Sequence, residues 1–588
     1  MMAAGITQTQ TSGPQATMKN GEISGIFDRM ADLIEIQGGD RFRVNSYRRS
    51  ARAVKDLTED ITAVAADNRL TALAGVGKST AAKIAEFLST GRIAAFDELL
   101  AKIPAGLPDL LEIPGLGPKK VALIWNELNV ESIDDLKRVI ASGELATLPG
   151  LGDKSVKQIQ QGIEFRERSG GRTELGVALP VAERLADAVG KMKTVKRVAL
   201  AGSLRRGRET IGDVDILAVS ADGKSVVEAF TNLPEVKRVL ASGATKGSVL
   251  VELSGGKELQ VDLRVVPAES FGAAWQYFTG SKEHNVRLRE IAVKKKLKLN
   301  EWGLFDGDKP VAGKTESSIY TKLGVPAVPP ELREDRGEIE LNQPPKLIEQ
   351  ADIRGDLHMH TTASDGKCGI DEMAEAAKAR GYAFIAITDH TKSSAIANGL
   401  SIERMEQQIL SVREADKRID GIAILVGCEC DILADGRLDY PDDLLAELDV
   451  VVASVHAAQN QPRAKVTARV IKALSSPHVD ILGHPTGRLL NRREPMDLDL
   501  SAILVAAVAT DTALEINASW KRLDLKDLHI RQALDAGATL SINTDAHHTD
   551  QLDQMGFGIM TARRGWTPPD RVINTWTLNK LRKWLRSR

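Results

Sequence analysis

Fourteen consecutive residues leave this chain few ways to fold: Gly202-Ser203-Leu204-Arg205-Arg206-Gly207-Arg208-Glu209-Thr210-Ile211-Gly212-Asp213-Val214-Asp215. An apolar run at 198–200 precedes them and another at 216–219 follows, so the passage reads as strand, glycine-rich turn, strand. Side chains alternate faces along a strand, which puts Asp213 and Asp215 on one side, close enough to share divalent cations. The two carboxylates repel each other, and a magnesium pair would relieve that repulsion while bridging a triphosphate. Backbone N–H groups around Gly202 and Ser203, with the Arg206 guanidinium, would hold the outer phosphate oxygens. A third carboxylate, Asp262, lies in the strand-like Gln260-Val261-Asp262-Leu263-Arg264, where it would activate an attacking hydroxyl. Asp-x-Asp alone fits an ordinary hairpin with a solvated acidic edge; the turn, the paired aspartates and the later strand aspartate together favour chemistry.

This constellation resembles the family X DNA polymerases of the nucleotidyltransferase superfamily. The resemblance runs over residues 20–325 and implies catalytic, metal-binding roles for Asp213, Asp215 and Asp262, with Gly202, Ser203, Arg206 and Gly212 around the nucleotide. It extends to Tyr277-Phe278-Thr279-Gly280-Ser281 with Asn285 and Arg289. In that family the first two positions press on the nucleotide sugar and disfavour a 2′-hydroxyl. Gly280 belongs to the same nucleotide-binding turn, Asn285 would touch the incoming base, and Arg289 would touch the template strand's minor groove.

A chain of 588 residues is too long for one core and suggests about four domains. No run of 18 apolar residues is present, so no membrane-spanning segment is expected. Residues 1–18 lack a basic start followed by an apolar stretch and read as a disordered tail. Three cysteines, Cys368, Cys428 and Cys430, make no disulfide framework, which points to a cytoplasmic protein. The net charge is only −2, but residues 151–300 hold 26 Lys and Arg against 18 Asp and Glu, a local basic surface suited to a phosphate backbone. Of ten histidines only His284 precedes residue 350, which marks a second chemistry in the rear of the chain.

The front is helical. Apolar residues recur at helical spacing over 23–36, 44–57 and 80–88. Leu73-Ala74-Gly75-Val76-Gly77-Lys78 is echoed by Ile113-Pro114-Gly115-Leu116-Gly117-Pro118-Lys119 and by Leu148-Pro149-Gly150-Leu151-Gly152-Asp153-Lys154. Each copy is an apolar residue, a Gly-x-Gly turn and a helix start, which aims N–H groups at an anion and lets a backbone come close. Three copies point to helix-hairpin-helix elements that grip DNA phosphates without reading sequence. We expect a lyase-like helical domain at 19–100 with the first copy, and a fingers-like domain at 101–175 with the other two. The first copy, with Asn45-Ser46-Tyr47-Arg48, resembles the amino-terminal lyase domain of family X polymerases, where a lysine at the place of Lys83 forms a Schiff base. Ala82 stands where that family usually has a glutamate, so a solvated helical lysine is the competing reading of Lys83. An α/β palm at 176–265 and a thumb-like domain at 266–325 follow, then a Pro- and acid-rich linker at 326–350.

From residue 351 short β-branched strands at 384–388, 422–426, 450–453, 479–482, 513–516 and 539–542 alternate with helices, the mark of a mainly parallel barrel. Residues of metal-binding type stand at or near the strand ends, where barrel active sites are built. They are His358, His360, Asp365, His390, Glu429, His456, His484, Asp545 and His547. Imidazole with carboxylate suits manganese, zinc or iron, and adjacent ions can generate a hydroxide and clamp a phosphodiester. All nine positions match the polymerase and histidinol phosphatase (PHP) family, which implies a distorted (βα)7-type barrel over 351–572 with three ions, Mn2+, Zn2+ or Fe2+. Cys428 and Cys430 flank Glu429 and should face the other side of its strand. His478, His529 and His548 match nothing, and 573–588 reads as a basic amphipathic helix without a family.

The expectation is a multidomain α/β enzyme. It would be a monomeric DNA polymerase that uses Mg2+ or Mn2+ and deoxynucleoside triphosphates on gapped or nicked DNA in base excision repair. A manganese-dependent 3′–5′ exonuclease, with AP endonuclease activity as in some relatives, would occupy the rear. The alternatives are a nucleotidyltransferase joined to a small-molecule phosphatase, and a non-catalytic clamp on damaged DNA.

Overall fold

In the computed structural model, residues 15–586 are described apart from 56–60, 74, 105, 112, 114–115, 154, 158, 161–162, 164–171, 254–257, 492 and 494. The chain divides into two compact units, Met1–Gly171 with Leu250–Glu258, and Arg172–Val249 with Leu259–Arg588.

The first unit is helical, as its periodicity requires. The helices expected at 23–36 and 80–88 are Gln15–Ile36 and Lys78–Thr90, and the one expected at 44–57 is Arg41–Lys55, its last two positions lying outside the described residues. Phe27, Met30, Ile84, Val121, Ile124 and Leu136 are among the residues of one continuous core, so the two helical domains read from the sequence share an interior. The three glycine turns share one hydrogen bond. The N–H of Val76, Leu116 and Leu151 donates 3.0 Å to the carbonyl of Leu73, Ile113 and Leu148 respectively, burying the middle apolar residue each time.

The palm is a five-stranded sheet in the order Arg197–Leu200, Asp213–Val219, Glu258–Val266, Lys246–Glu252, Val236–Ser242. Asp213–Val219 pairs antiparallel with Arg197–Leu200 and parallel with Glu258–Val266, which sets Asp215 opposite Asp262. The thumb follows as the helices Phe271–Thr279 and Lys282–Lys294, a three-stranded sheet and the helix Glu316–Leu323.

The passage at 326–350 connects the halves, yet it is packed rather than a bare spacer. Val328, Leu332, Arg333, Glu338 and Ile348 are buried, and its charges are paired: Arg333 with Glu316 at 2.6 Å, Glu338 with His284 at 2.7 Å, Glu331 with Arg563 at 2.7 Å. Burial depresses no charge here without a partner, as the cost of an isolated buried ion demands.

The rear is a seven-stranded parallel barrel whose strands lie in sequence order, Gly355–Asp356, Phe384–Ile387, Ala423–Asp431, Val450–Ser454, Ile481–Leu482, Ala513–Asn517 and Leu540–Asn543. The first strand was not legible as one. The seam between first and last is closed above by a Met359 to Ala546 bridge and below by Asn574. The Asn574 amide donates to Gly355 O and Ile542 O, while its oxygen accepts from Ile542 N at 2.8 Å. The final segment is therefore part of the barrel and not a separate piece: Leu581 and Trp584 of the helix Leu578–Arg586 are buried against Phe384, Leu425 and Val450. Burying Leu581 alone contributes about 2 kcal/mol.

Candidate active sites

The palm centre stands where two parallel strands start together. Asp213 is exposed and Asp215 and Asp262 are half-buried. Burial first, and then the charges of Asp213 and Asp262, push the Asp215 carboxyl up to about 7. Three carboxylates on two adjacent inner strands, one of them resisting ionisation, fit a site for divalent cations, whose charge would remove the cause of the shift. Asp262 is the best supported of the three: Ser248 Oγ and Gln260 Nε2 donate to Oδ1, and Lys246 Nζ lies 3.0 Å from Oδ2.

Gly202 opens the short helix Gly202–Arg205 at φ +66°, and the space a Cβ would need there is filled by Asp215 Oδ2. Ser203 lies in the same helical turn, and Gly212, whose missing side chain makes room for Arg172, leads into Asp213. Arg206 is engaged within the protein: Nε pairs with Glu334 at 3.1 Å and Nη1 donates to the Thr279 carbonyl at 2.5 Å. Gly280 permits that approach, since a Cβ there would stand 3.1 Å from Arg206 Nη1. Its neighbour Arg205 grips Glu316 through both terminal nitrogens, at 2.8 and 2.7 Å.

Tyr277 and Phe278 meet edge to face with centroids 5.2 Å apart, and the Arg264 guanidinium lies 4.8 Å over Phe278. Asn285 is buried and fixed, accepting from Gln276 Nε2 and donating to the Tyr277 carbonyl, both at 2.7 Å. Arg289 is exposed on the helix Lys282–Lys294. His284, given no role by the sequence, is buried between Glu338 and Tyr320 OH, 2.8 Å away, and ties the helix to the strap at 326–350.

In the helical unit, Gly75 and Gly150 need their positive φ of +101° and +75°. Gly77 and Gly117 have ordinary negative φ, and nothing lies within 4 Å of a Cβ built on them or on Gly152. Among the described residues neither backbone nor packing calls for glycine at those positions. Gly115 lies outside the described residues. Lys83 is half-buried, its Nζ 3.0 Å from Ser79 Oγ and 6.0 Å from the centre of the Tyr47 ring.

The barrel brings all nine rear residues together. Three groups have donor atoms within 4.8 Å of one another: His360, Asp365, His390 and His547; His358, His360, Glu429 and Asp545; His390, Glu429 and His456. His484 joins through Nε2, 2.8 Å from Glu429 Oε1. Glu429 is the hub because it alternates with Cys428 and Cys430, which are buried in the layer packed outside the strand while its carboxylate points inward.

The sequence missed Glu515 and Asp431. Burial opposes ionisation of Glu515, but the charge on His358 outweighs it and keeps the pKa low. An ionised carboxylate only accepts, so His358 Nδ1, at 2.8 Å, donates to it, and Nε2 is turned inward, where a cation would take the place of its proton. That Nε2, like Nδ1 of His390, is buried without a hydrogen-bond partner. His456 is oriented the same way by Asp431 at 2.5 Å. Despite burial, the carboxylates hold His456 up at about 10 and His547 at about 9. Protons thus occupy places that cations would take, and the orphaned imidazole nitrogens among carboxylates fit a metal cluster.

Comparison with known proteins follows this division. Residues 18–93 match the helix-hairpin-helix domain, 107–164 the SAM-like helix-hairpin-helix tandem, 274–334 the DNA polymerase beta thumb and 356–519 the PHP domain. DNA polymerase lambda of Rattus norvegicus is 26% identical over 55% of this chain and 58% of its own length. A probable phosphatase of Shewanella sediminis is 31% identical over 37% of this chain and 88% of its own length. The DNA polymerase/3′-5′ exonuclease PolX of Bacillus subtilis is 38% identical over 97% of this chain and 100% of its own length. The chain belongs to the bacterial family X DNA polymerases that carry a PHP domain.

Proposed function

We propose that the chain fills short gaps in DNA with its palm and trims 3′ ends with its barrel. The observation that carries this reading is the presence, in one chain, of the Asp213, Asp215 and Asp262 triad and of nine converging ligand-type residues around Glu429. In the palm, Asp262, positioned by Lys246 and Ser248, takes the proton of the primer 3′-hydroxyl, while Tyr277 and Phe278 exclude a ribose 2′-hydroxyl. The backbone at Gly202 and Ser203 receives the triphosphate, and Arg206 would turn to it by leaving Glu334. Bound divalent cations supply the charge neutralisation and the acidified water that phosphoryl transfer and phosphodiester cleavage need. Asp213, Asp215 and Asp262 would hold Mg2+ or Mn2+, and the barrel residues would hold three ions drawn from Mn2+, Zn2+ and Fe2+. The turns at Gly75–Gly77, Gly115–Gly117 and Gly150–Gly152 would grip the DNA backbone. A cytoplasmic monomer acting in base excision repair fits these roles, and among the described residues no helix is long and apolar enough to cross a membrane.

The test is turnover of a gapped duplex with manganese, with and without nucleotides. Asp213→Ala should abolish extension and spare 3′–5′ degradation, and His360→Ala should do the reverse. Loss of both activities from either change in a folded protein would count against two separate centres. The likeness to the Shewanella phosphatase supports a second reading, in which the barrel cleaves small phosphate monoesters. Degradation of a 3′-labelled primer with no monoester turnover would exclude it. Borohydride trapping on a 5′-deoxyribose phosphate, lost in Lys83→Ala, tests the lyase role.

A further inference from the structure

A cavity of about 630 Å³ opens between the palm and the barrel, lined by Glu209 and Thr210 on one side and on the other by Thr486, residues 488–491, Arg493 and Pro495 with Lys526 and His529. Both walls spring from active-site segments. The palm wall leads into Asp213 three residues on. The barrel wall is the loop that leaves the ligand His484 and the start of the helix Asp527–Asp535, which follows the loop carrying Arg522.

The cavity has more positive charge than its surroundings balance. Arg488, Arg493 and Lys526 face it with His529, and Glu209 is the one carboxylate among its described lining residues, already paired with Arg488 at 2.7 Å. The nearby carboxylates are committed elsewhere: Asp524 accepts from Thr486 N and Oγ1 at 3.0 and 2.9 Å, and Asp527 pairs with Arg336 and Arg564. Arg488 is buried, with Nε lacking any hydrogen-bond partner, and so does His529 Nδ1. Burial, and then the Lys526 and Arg488 charges, drive the imidazole of His529 down to about 3 against the opposing charge of Asp527. The positive strip continues inward: Arg522, close enough for its charge to act on Arg493, lies 3.6 Å from the ligand Asp545 and has a buried Nη1 without a partner.

We propose that this cleft binds the phosphodiester backbone of a single-stranded 3′ end and guides it from the palm edge into the barrel centre. The inference rests on the nuclease reading above and adds to it the path of the strand. Phosphate groups would lie against Arg488, Arg493 and Lys526, with Arg522 next to the scissile position. The contacts are to backbone alone, so the cleft accepts any sequence.

The test uses the full chain with manganese and two substrates, a 3′-labelled single-stranded oligonucleotide and bis(p-nitrophenyl) phosphate, which is too small to span the cleft. Arg493→Ala combined with Lys526→Ala should raise KM for the oligonucleotide at least tenfold and leave turnover of the small diester unchanged. Loss of two contacts should also flatten the dependence of log affinity on log salt by about 1.4. Lys526→Glu alone, distant in sequence from the His484 loop, should repeat the KM effect. An unchanged KM and salt slope, or equal losses on both substrates, would overturn the proposal. A photo-crosslinker at Pro495→Cys, used with chelator present, reads strand placement without cleavage. Crosslinking of the oligonucleotide, lost in the double variant, is expected; its absence overturns the cleft. If the Pro495→Cys protein crosslinks but never shortens the oligonucleotide, the nuclease reading falls and the strand path stands.

Discussion

Asp215 Oδ2 fills the space into which a side chain on Gly202 would project. The Gly202 turn and the Asp215 carboxylate are therefore fitted to one another before any ligand arrives. The φ of +66° at Gly202 adds a second reason for glycine, since that region disfavours a Cβ. Gly202→Ala should rotate Asp215 away from Asp262 and lower nucleotide incorporation by at least 100-fold. Degradation of a 3′-labelled primer should stay at the wild-type rate, and both are read on one gapped substrate.

The raised pKa of Asp215 makes a prediction about stability. Its native value of about 7 exceeds the unfolded 3.8, so between those values the folded protein holds a proton that the unfolded chain has released. Stability then falls as pH rises through that window and is lowest above pH 7, a cost on the order of 4 kcal/mol. Asp215→Asn removes the ionisation. With chelator present, the variant should unfold at a higher temperature than wild type at pH 7.5, with a smaller gain at pH 5. Saturating Mg2+ should restore the wild type and leave the variant nearly unmoved. An equal gain at both pH values would mean that the carboxylates do not strain the folded sheet.

Much of this was legible in the sequence because the relevant geometry is local. Alternation put Asp213 and Asp215 on one face, the Gly-x-Gly turns repeat one hydrogen bond, and apolar strands ending in histidine announced the barrel centre. Glu515 was overlooked although it left a signal: a carboxylate inside the apolar Ala513-Leu514-Glu515-Ile516 must find a buried partner. The strap at 326–350 and the anchoring of Arg206 by Glu334 left none, since prolines and acids read as solvated until their partners, Arg563, Arg564 and His284, arrive from distant sequence. The closing of the barrel by residues 573–586 was hidden for the same reason.

Glu515 offers a direct check on how the barrel centre is oriented. It fixes the His358 proton on Nδ1 and adds negative charge behind the ring. Glu515→Gln keeps an acceptor but loses that charge, and partners of this kind typically contribute 10- to 100-fold in metal affinity. Half-maximal 3′–5′ degradation should need 10- to 100-fold more Mn2+, with the rate at saturation largely restored and primer extension untouched. A rate that never recovers at high Mn2+ would assign Glu515 to the reaction itself.

Asn574 does for the barrel seam what a neighbouring strand does elsewhere. Its side chain answers Gly355 O, Ile542 O and Ile542 N, and its own carbonyl accepts from Arg354 N at 2.8 Å. Asn574→Ala leaves those buried groups without partners, at about 1–3 kcal/mol each where water cannot reach them. The main-chain bond from Arg354 survives, so the barrel should open locally rather than unfold. Hydrogen exchange at Ile542 should quicken by at least 100-fold, and 3′–5′ degradation should fail at a lower temperature than primer extension. Asn574→Asp, which keeps the acceptor and loses the donors, should fall between the two. Coincident loss of both activities on heating would show instead that palm and barrel unfold as one body.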